Sequence, residues 1–269
     1  MMHSIILVCM GLATQAAAAC SRELLEAATA AYVQAQTAGE PTFASLASNV
    51  SYTENDVPTD ITAGVLSQPI AIDFDRSLLD TTQCATFTEL SAASGAHPYV
   101  IHTRMLLTGE QITTIQSVVT DAGDWLFNAT SHLYWTKQEK WDPIPEADRD
   151  SRDVIQAAGD AYLDSWTDAS VTVPYGTPCA RLEGGAYTGE RSPSTNTCTM
   201  PQFPEDFTIG HRRYVIDEEV GGLDIFNDFP FIDLTAPDGT PSSNFIRVEG
   251  GTIHNIHELT VCGAPNCGR

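Results

Sequence analysis

Two segments of the chain carry apolar residues at the spacing of an amphipathic helix. The first, SRELLEAATAAYVQAQ, starts at Ser21 and is ended by the Gly39-Glu40-Pro41 stretch. The second, DSRDVIQAAGDAYLDSW, can be capped by Asp150 or Ser151. Their apolar stripes comprise Leu24, Leu25, Ala28, Ala31, Tyr32 and Ala35, and Val154, Ile155, Ala158, Tyr162 and Trp166. The similar phrases AATAAYVQA and AAGDAYLDS predict an internal repeat.

Each predicted helix is followed by strands and turns, and each half closes on a similar phrase. TGEQITTIQSVV ends the first half and EGGTIHNIHELTV ends the second, so the isoleucine pairs 112/115 and 253/256 correspond. We therefore predict two copies of one α+β unit of roughly 110 to 120 residues. The predicted boundaries are a signal peptide at 1–19, a first domain at 20–141, a linker at 142–152 that contains Pro143 and Pro145, a second domain at 153–262 and a tail at 263–269.

A helix followed by antiparallel strands, the last of which follows a glycine turn and has an I-x-x-I rhythm, resembles a known cone-shaped fold. Nuclear transport factor 2, ketosteroid isomerase and scytalone dehydratase share this fold. The resemblance implies an α+β protein made of two tandem cone-shaped domains. In each, a curved antiparallel sheet would wrap around N-terminal helices and leave an apolar pocket open at one end.

The phrase GHRRYVIDEEVGGLDIFNDF predicts a β-hairpin. A two-residue turn at Gly221-Gly222 would place Val220 opposite Leu223. One face would then hold Tyr214, Ile216, Val220, Leu223, Ile225 and Phe229, together with Arg212, Glu218 and Asn227. Arg212 and Glu218 could pair with each other or with backbone at the sheet edge, or could line a pocket. A slip of one residue would exchange the two faces.

Further polar residues lie between glycine and proline turns in PYGTPCARLEGGAYTG, a segment that contains Arg181 and Glu183. The predicted substrate-binding residues are Tyr175, Arg181, Tyr187, Tyr214 and Asn227. Their counterparts in the first half are Tyr52, Glu54, His102 and Arg104. Strand alternation places His102 and Arg104 on one face with Val100 and Leu106.

The run EGGTIHNIHEL is predicted to be a strand that follows a Gly250-Gly251 turn. Residues three apart on a strand point to opposite faces, so His254 and His257 cannot chelate one ion. His257 would share the covered face with Ile253, Leu259 and Val261. Its two interpretations are a catalytic histidine and a buried histidine satisfied by a neighbour. The first half has Thr113 and Gln116 at the matching positions, which favours an active pocket in the second half.

Charge narrows the range of partners. The net charge of −22 is spread along the chain, and such a field repels phosphate backbones and anionic membranes. No P-loop, dinucleotide fingerprint, nucleophile elbow or H-E-x-x-H motif occurs. We therefore predict no cofactor, no bound metal, no nucleic acid and no membrane insertion. The expected partner is a small apolar or aromatic compound, and a homodimer is left open.

The N-terminus and the cysteines indicate the compartment. An apolar run with an Ala-x-Ala pattern that ends at Ala19 predicts a secretory signal peptide. The six remaining cysteines are then expected to pair as Cys20-Cys84, Cys179-Cys198 and Cys262-Cys267, on proximity in sequence alone. The sequons at Asn49 and Asn128 are glycosylation candidates in the same secretory pathway.

The phrases VPYGTPCARLEGGAYTG, RRYVIDEEVGGLDIF and FIRVEGGTIHNIHELTVC, after a first half with YTEND and GDWLFN, resemble a family of secreted fungal proteins related to the hetero-Diels–Alderases of tropolone-sesquiterpenoid biosynthesis. The resemblance implies dehydration of a hydroxymethyl tropolone to a quinone methide and its addition across a terpene alkene. Cofactor-free proton transfer fits the residue types. His257 or Glu218 would move the proton, and Arg212, Arg181 or a tyrosine would hold the oxygen. The rival hypothesis is a secreted binding or surface protein without catalysis.

Overall fold

The computed structural model describes residues 20–200, 207–230, 232–233 and 235–267. The predicted signal peptide at 1–19 lies outside the described residues. The helices are α1 (Arg22–Ala38), α2 (Ala129–Thr136) and α3 (Arg152–Asp164), and short 3-10 turns span Val65–Ser67 and Glu146–Asp148. Ser21 caps α1 through its side chain, and Gly39 ends the helix in the left-handed conformation where a stop was predicted. Of the two predicted caps of α3, Asp150 and Ser151, the N-cap is Ser151.

Two six-stranded sheets carry the same strand order. The first is β2-β1-β6-β5-β4-β3, built from β1 (Leu46–Glu54), β2 (Val57–Pro58), β3 (Phe74–Asp80), β4 (Ala85–Ala92), β5 (Tyr99–Thr108) and β6 (Gln111–Thr120). The second is β8-β7-β12-β11-β10-β9, built from β7 (Tyr175–Glu183), β8 (Ala186–Tyr187), β9 (Gly210–Asp217), β10 (Gly222–Phe229), β11 (Thr240–Glu249) and β12 (Thr252–Thr260). The protein is therefore α+β, and the two equal sheets fit a two-domain arrangement.

Each sheet is antiparallel except at one place, where its first strand runs parallel to its last. Ile115 of β6 pairs with Tyr52 of β1, and Ile256 of β12 pairs with Arg181 of β7. These matched registers allow each residue of one half to be assigned a counterpart in the other. Glu54 and Glu183 correspond in this way, as do Ser117 and Glu258.

Each long helix packs against one face of its own sheet. The buried stripe of α1, with Leu25 and Tyr32, joins a core that includes Ile112 and Ile115. The stripe of α3, with Ile155 and Tyr162, joins a second core that includes the matching residues of β12, Ile253 and Ile256. The helical periodicity and the I-x-x-I rhythm thus mark the same interior in both halves.

The opposite faces of the two sheets pack against each other. Their shared core contains Leu78, Phe87, Val100 and Val118 from the first half and Val215, Phe226, Phe245 and Leu259 from the second. The sheets come so close that a Cβ on Gly222 would overlap Leu78. Acidic residues of the 210–229 hairpin lie on this covered face, and Asp217 and Asp224 are buried there.

The hairpin prediction was wrong in its turn. Asp217 pairs with Gly222 and Ile216 with Leu223, so the loop runs from Glu218 to Gly221 and Val220 does not face Leu223. Tyr214, Ile216, Leu223 and Ile225 nevertheless share the face toward α3 as predicted, because a loop of four residues keeps the same parity as a loop of two. Gly221 alone supplies the positive φ, at 57°.

A second correction concerns β12. Gly250 and Gly251 form the predicted two-residue turn with φ of 59° and 72°. A bulge between Ile253 and Asn255 then shifts the alternation. Ile253 therefore lies with Ile256 on the α3 side, and His257 shares its face with Leu259 but not with Ile253.

Three disulfides are present, Cys20–Cys84, Cys179–Cys198 and Cys262–Cys267, which are the pairs expected from proximity in sequence. Disulfides are typical of chains that mature in an oxidising compartment. The sequon asparagines Asn49 and Asn128 are exposed. Within the described ranges, no helix has the length and apolar character needed to cross a membrane.

Candidate functional site

Two buried polar clusters lie on opposite sides of β12, at adjacent residues. His257 is 0% exposed and Glu258 is 1% exposed. Alternation along the strand directs Glu258 toward α3 and His257 toward the first half of the chain. The cluster around Glu258 is called the interior cluster below, and the cluster around His257 is called the interface cluster.

The interior cluster is built from α3 and the parallel strands β7 and β12. The strand register sets Glu183 beside Glu258 and Arg181 beside Ile256. Arg181 and Glu183 form an ion pair on one side of the cluster. Tyr162 projects from α3 into the same space, where its phenol interacts electrostatically with Arg181 and Glu258.

Several polar atoms of the interior cluster make no hydrogen bond of standard geometry within the described structure. They are both carboxylate oxygens of Glu258, the Tyr162 hydroxyl, Arg181 Nε and both amide atoms of Asn244, the residue paired with Glu258. Buried polar groups in proteins are nearly always paired, and each one left unpaired costs about 1 to 3 kcal/mol. Such a concentration in one place is typical of a site built to bind or react.

The two carboxyl groups of the interior cluster have different surroundings. Burial raises the pKa of Glu258 to about 8, with a further rise from neighbouring Glu183 that Arg181 partly offsets. Burial also raises the pKa of Tyr162 well above its usual value. Glu183, in contrast, has the Arg181 guanidinium as a direct partner. Neighbouring carboxyls in unlike environments are how enzymes separate an acid from a base.

The interface cluster lies between the sheets and draws on both halves. Glu89 Oε1 on β4 lies 2.6 Å from His257 Nδ1, and Glu139 Oε2 lies 2.8 Å from His257 Nε2. Arg76 Nη1 is 3.7 Å from Glu89 Oε2 and 3.5 Å from Glu139 Oε2. Thr136 of α2 donates a hydrogen bond to Glu89 Oε2 at 3.0 Å.

Two more histidines approach the same carboxylate oxygen. His102 Nε2 is 3.4 Å and His132 Nε2 is 3.5 Å from Glu89 Oε1, and both rings are fully buried. Burial opposes charge on all three histidines. It lowers the pKa of His132 to about 3, whereas Glu139 and Glu89 outweigh burial at His257 and raise its pKa to about 9. Without a metal, a protonated His257 and Arg76 balance the two glutamates.

The predicted catalytic residues do not come together. Arg212 binds Asp160 at 2.8 Å and Asp164 at 2.5 Å, both on α3. Glu218 is exposed in the hairpin loop and accepts a hydrogen bond from the first backbone N–H of α3 at 2.9 Å. Neither shares a hydrogen-bonding partner with His257 in the described part of the chain. Arg212 and Glu218 do not pair with each other either, because each binds to a residue of α3 instead.

The predicted substrate-binding residues do not form one cluster. Arg181 lies in the interior cluster, and Tyr175 packs against the same core. Tyr187 stacks on Trp135 at 4.1 Å, and Tyr214 donates to Asp160 at 2.7 Å. Asn227 is buried and donates to the Ile225 carbonyl at 2.9 Å.

Sequence reasoning missed Glu89, His132, Glu139 and Tyr162 as polar members of buried clusters. For Glu89 a signal existed, since ATFTELSA alternates Ala85, Phe87, Glu89 and Ser91 on one covered face. For His132 the signal was the N-cap of α2, where Asn128 accepts from the Ser131 N–H at 3.0 Å. No helix was predicted from the sequence at Ala129–Thr136.

A family model matches part of the chain. A domain of unknown function, DUF8021, matches residues 148–260, a span that contains α3 and the second sheet. Searches of curated proteins and of solved structures return no match to the chain. The matched span contains every residue of the interior cluster but only His257 among the three histidines of the interface cluster.

Proposed function

We propose that the second half of the chain is a cofactor-independent acid–base enzyme whose reaction takes place at the interior cluster. In this proposal each half is a cone of the nuclear transport factor 2 type, with the sheet curved around its helix. The parallel pairing of first and last strands and the packing of α1 and α3 on single sheet faces support this fold. The proposed substrate is a small oxygenated aromatic or tropolone compound.

One observation carries the proposal: a carboxyl, a phenol and a guanidinium nitrogen converge in a buried interior, and none of them makes a hydrogen bond of standard geometry there. Glu258, Tyr162 and Arg181 are respectively 1%, 0% and 8% exposed. A site that leaves such groups unpaired in the folded protein gains their hydrogen bonds when a polar ligand enters.

The reaction that fits these groups is loss of water from a hydroxymethyl substituent. Glu258 would donate its proton to the leaving hydroxyl as the C–O bond breaks and water departs. Glu183 would accept the proton of the ring hydroxyl, so the proton count balances and a quinone methide remains. Arg181 and Tyr162 would hold the ring oxygen on which negative charge grows, through charge-assisted hydrogen bonds. Cycloaddition of the quinone methide with a terpene alkene would then follow at the same cluster.

This proposal moves the acid role from His257, the sequence-based choice, to Glu258. The side chain of His257 is occupied by two carboxylates on the other side of the sheet. We further propose that the protein acts in the secretory pathway or outside the cell, with the three disulfides as support.

The test is incubation of the purified full-length protein with a hydroxymethyl phenol or tropolone and an alkene. Rate and product stereochemistry are compared with a protein-free blank. We expect Glu258→Gln to lower the rate about 100-fold or more, the usual size of a general-acid contribution. Ser117→Ala changes the corresponding position of the first half and should leave the rate within about twofold.

Racemic product at the blank rate with wild-type protein would exclude the cycloaddition, and full activity of Glu258→Gln would remove Glu258 from the mechanism. Binding of the substrate without turnover, measured by tryptophan fluorescence, would favour the alternative of a secreted binding protein.

A further inference from the structure

We propose that the interface cluster is a binding site for one divalent transition-metal ion, with Zn²⁺ as the first candidate. Glu89 Oε1, His132 Nε2 and His257 Nδ1 are the proposed ligands, and His102 Nε2, which lies 3.4 Å from Glu89 Oε1, is the candidate for a fourth. This site is separate from the interior cluster and replaces our sequence-based expectation of a metal-free protein. The chemistry fits, since Zn²⁺ is held in proteins by imidazole nitrogen and carboxylate oxygen.

The ligand atoms are already grouped around one point. One oxygen of Glu89, Oε1, has His257, His102 and His132 nitrogens at 2.6, 3.4 and 3.5 Å. The atoms of Glu89, His132 and His257 all lie within 4.8 Å of one another. Neighbouring ligands of a tetrahedral zinc ion with bonds of about 2.0 to 2.1 Å are about 3.3 Å apart, so small shifts suffice to admit the ion.

The second nitrogen of every histidine is held by a separate partner. Ser91 Oγ lies 3.0 Å from His132 Nδ1, Ser243 Oγ lies 2.8 Å from His102 Nδ1, and Glu139 Oε2 lies 2.8 Å from His257 Nε2. Outer partners of this kind fix the orientation and tautomer of metal-bound histidines. Three rings oriented in this way toward one carboxylate oxygen make a built site rather than a chance grouping of residues.

One ligand atom has no hydrogen-bond partner at all. His132 Nε2 is buried without a hydrogen bond in the described structure, although Glu89 Oε1 is its neighbour at 3.5 Å. The His132 ring is 0% exposed. A buried ring nitrogen directed at a carboxylate, with no hydrogen bond between them, is the arrangement expected where a cation is to lie between the two.

The competing state is the metal-free network, in which a proton on His257 Nδ1 bridges to Glu89. Metal binding replaces that proton, so one Zn²⁺ enters and one proton leaves. Arg76 contacts Oε2 of Glu89 and Oε2 of Glu139. It therefore leaves Oε1 of Glu89 available to the metal ion. The ligands come from β4, α2 and β12, so the ion would join the two halves of the chain.

A second group of metal-ligating residues in the described structure, Asp56, His211 and Asp228, provides the matched control. His211 is exposed, and Asp56 is already bound by Arg213 at 2.6 and 2.9 Å. This group has no unpartnered buried atom directed into it. We therefore assign no metal to it.

The experiment is elemental analysis of the full-length protein secreted into zinc-supplemented medium and then dialysed against metal-free buffer. We expect about one zinc per chain in the wild type and in His211→Ala. His132→Gln and His257→Gln should each retain less than about a tenth of that amount. X-ray absorption of the wild-type zinc should show histidine nitrogen scattering, a readout that requires no variant to fold.

Wild-type protein with less than about a tenth of a zinc per chain, both as purified and after refolding with Zn²⁺, would overturn the proposal. So would loss of zinc in His211→Ala with retention in His132→Gln. If the histidine variants do not fold, the absorption spectrum decides, and a spectrum without imidazole ligands would equally contradict the site.

Discussion

The two halves share one fold, but the polar groups at corresponding positions of their interiors are hydrogen-bonded with standard geometry in the first half and not in the second. In the first half, Tyr32 of α1 bonds to Thr103 at 2.7 Å, and Thr103 bonds to Ser117 at 2.8 Å. The strand registers place Asn244 and Glu258 at the positions of Thr103 and Ser117 in the second half. There the tyrosine, the amide and the carboxyl are all left without standard hydrogen bonds.

The two halves also differ in the residues at corresponding positions of their first strands, β1 and β7. Tyr52 and Glu54 of the first half bond to each other, and Glu54 also accepts the Val65 backbone N–H. The second half has Arg181 at the position of Tyr52, which brings a permanent charge into the interior. The tyrosine-centred hydrogen-bond chain is therefore closed in the first interior, whereas the corresponding groups of the second interior are open, which fits the ligand site that we propose there.

The contact between the halves is, in contrast, nearly symmetric. Asp80 ends β3 and accepts the Ile216 N–H at 3.0 Å, and Asp217 ends β9 and accepts the Leu79 N–H at 3.0 Å. Each also binds the arginine that starts the opposite half's helix, Arg152 and Arg22 respectively. The halves thus differ in their interiors but share a reciprocal interface.

The largest expected effect on stability comes from breaking the two reciprocal contacts of Asp80 and Asp217, and it tests how symmetric they are. Asp80 is the only described partner of the Arg152 guanidinium, at 2.8 and 2.7 Å, whereas the guanidinium of Arg22 has Glu219 at 3.3 Å besides Asp217. Asp80→Asn should lower the free energy of unfolding by about 3 to 5 kcal/mol, since it leaves the guanidinium without its counter-charge. Asp217→Asn should cost about 1 to 2 kcal/mol, because Arg22 keeps a carboxylate.

Urea unfolding measures both effects, with Asp75→Asn on the exposed side of β3 as the control, expected within about 0.5 kcal/mol of wild type. Equal losses in the Asp80 and Asp217 variants would show that the two contacts are energetically equivalent, contrary to this interpretation.

A smaller effect on stability is expected at Asp224. Its counterpart in the first half, on the face shared by the two sheets, is the apolar residue Phe87. Burial raises the pKa of Asp224 well above its ordinary value of 3.8, although Ser243 donates to it and Arg104 and Arg213 are near. The folded state therefore binds more protons at this group than the unfolded state does. Its contribution to stability is present below about pH 4 and is lost as pH rises toward the folded-state pKa.

Asp224→Asn should accordingly be more stable than wild type at pH 7, by about 1 to 3 kcal/mol, with the difference shrinking toward pH 4. Urea unfolding of both proteins across this range measures it. A difference that stays constant with pH would show that the carboxyl is already ionised in the fold, and Asp75→Asn should show no such trend.

The two long helices, the closing strands and the two disulfides of short sequence separation could be predicted from sequence because each depends on local signals. Ser21 and Gly39 bound α1, and Gly250-Gly251 specify a hairpin, whatever lies around them. The faces of the 210–229 hairpin were also recoverable, because loops of two and four residues preserve parity. The bulge before Asn255 was not, and it alone moved Ile253 away from the His257 face.

The candidate sites could not be assembled from sequence for a different reason. Glu89 and His257 are far apart along the chain and meet only because two sheets pack face to face. Pattern alone cannot tell a sheet face that is covered by a second domain from one that lines a pocket. His257 was therefore correctly predicted to be covered, but its surroundings depended on a tertiary contact.

The smallest expected effect concerns the two interiors, where two variants should change the free energy of unfolding in opposite directions. Ser117→Ala breaks the Tyr32–Thr103–Ser117 chain and should cost about 1 kcal/mol of stability. Glu258→Gln removes an ionisable group that lacks a standard hydrogen bond and should leave stability unchanged or raise it by up to about 1 kcal/mol. Urea unfolding of the two variants at pH 7 measures both. A loss in Glu258→Gln larger than that in Ser117→Ala would mean that the carboxyl holds the second half together, and the contrast between a closed and an open interior would fail.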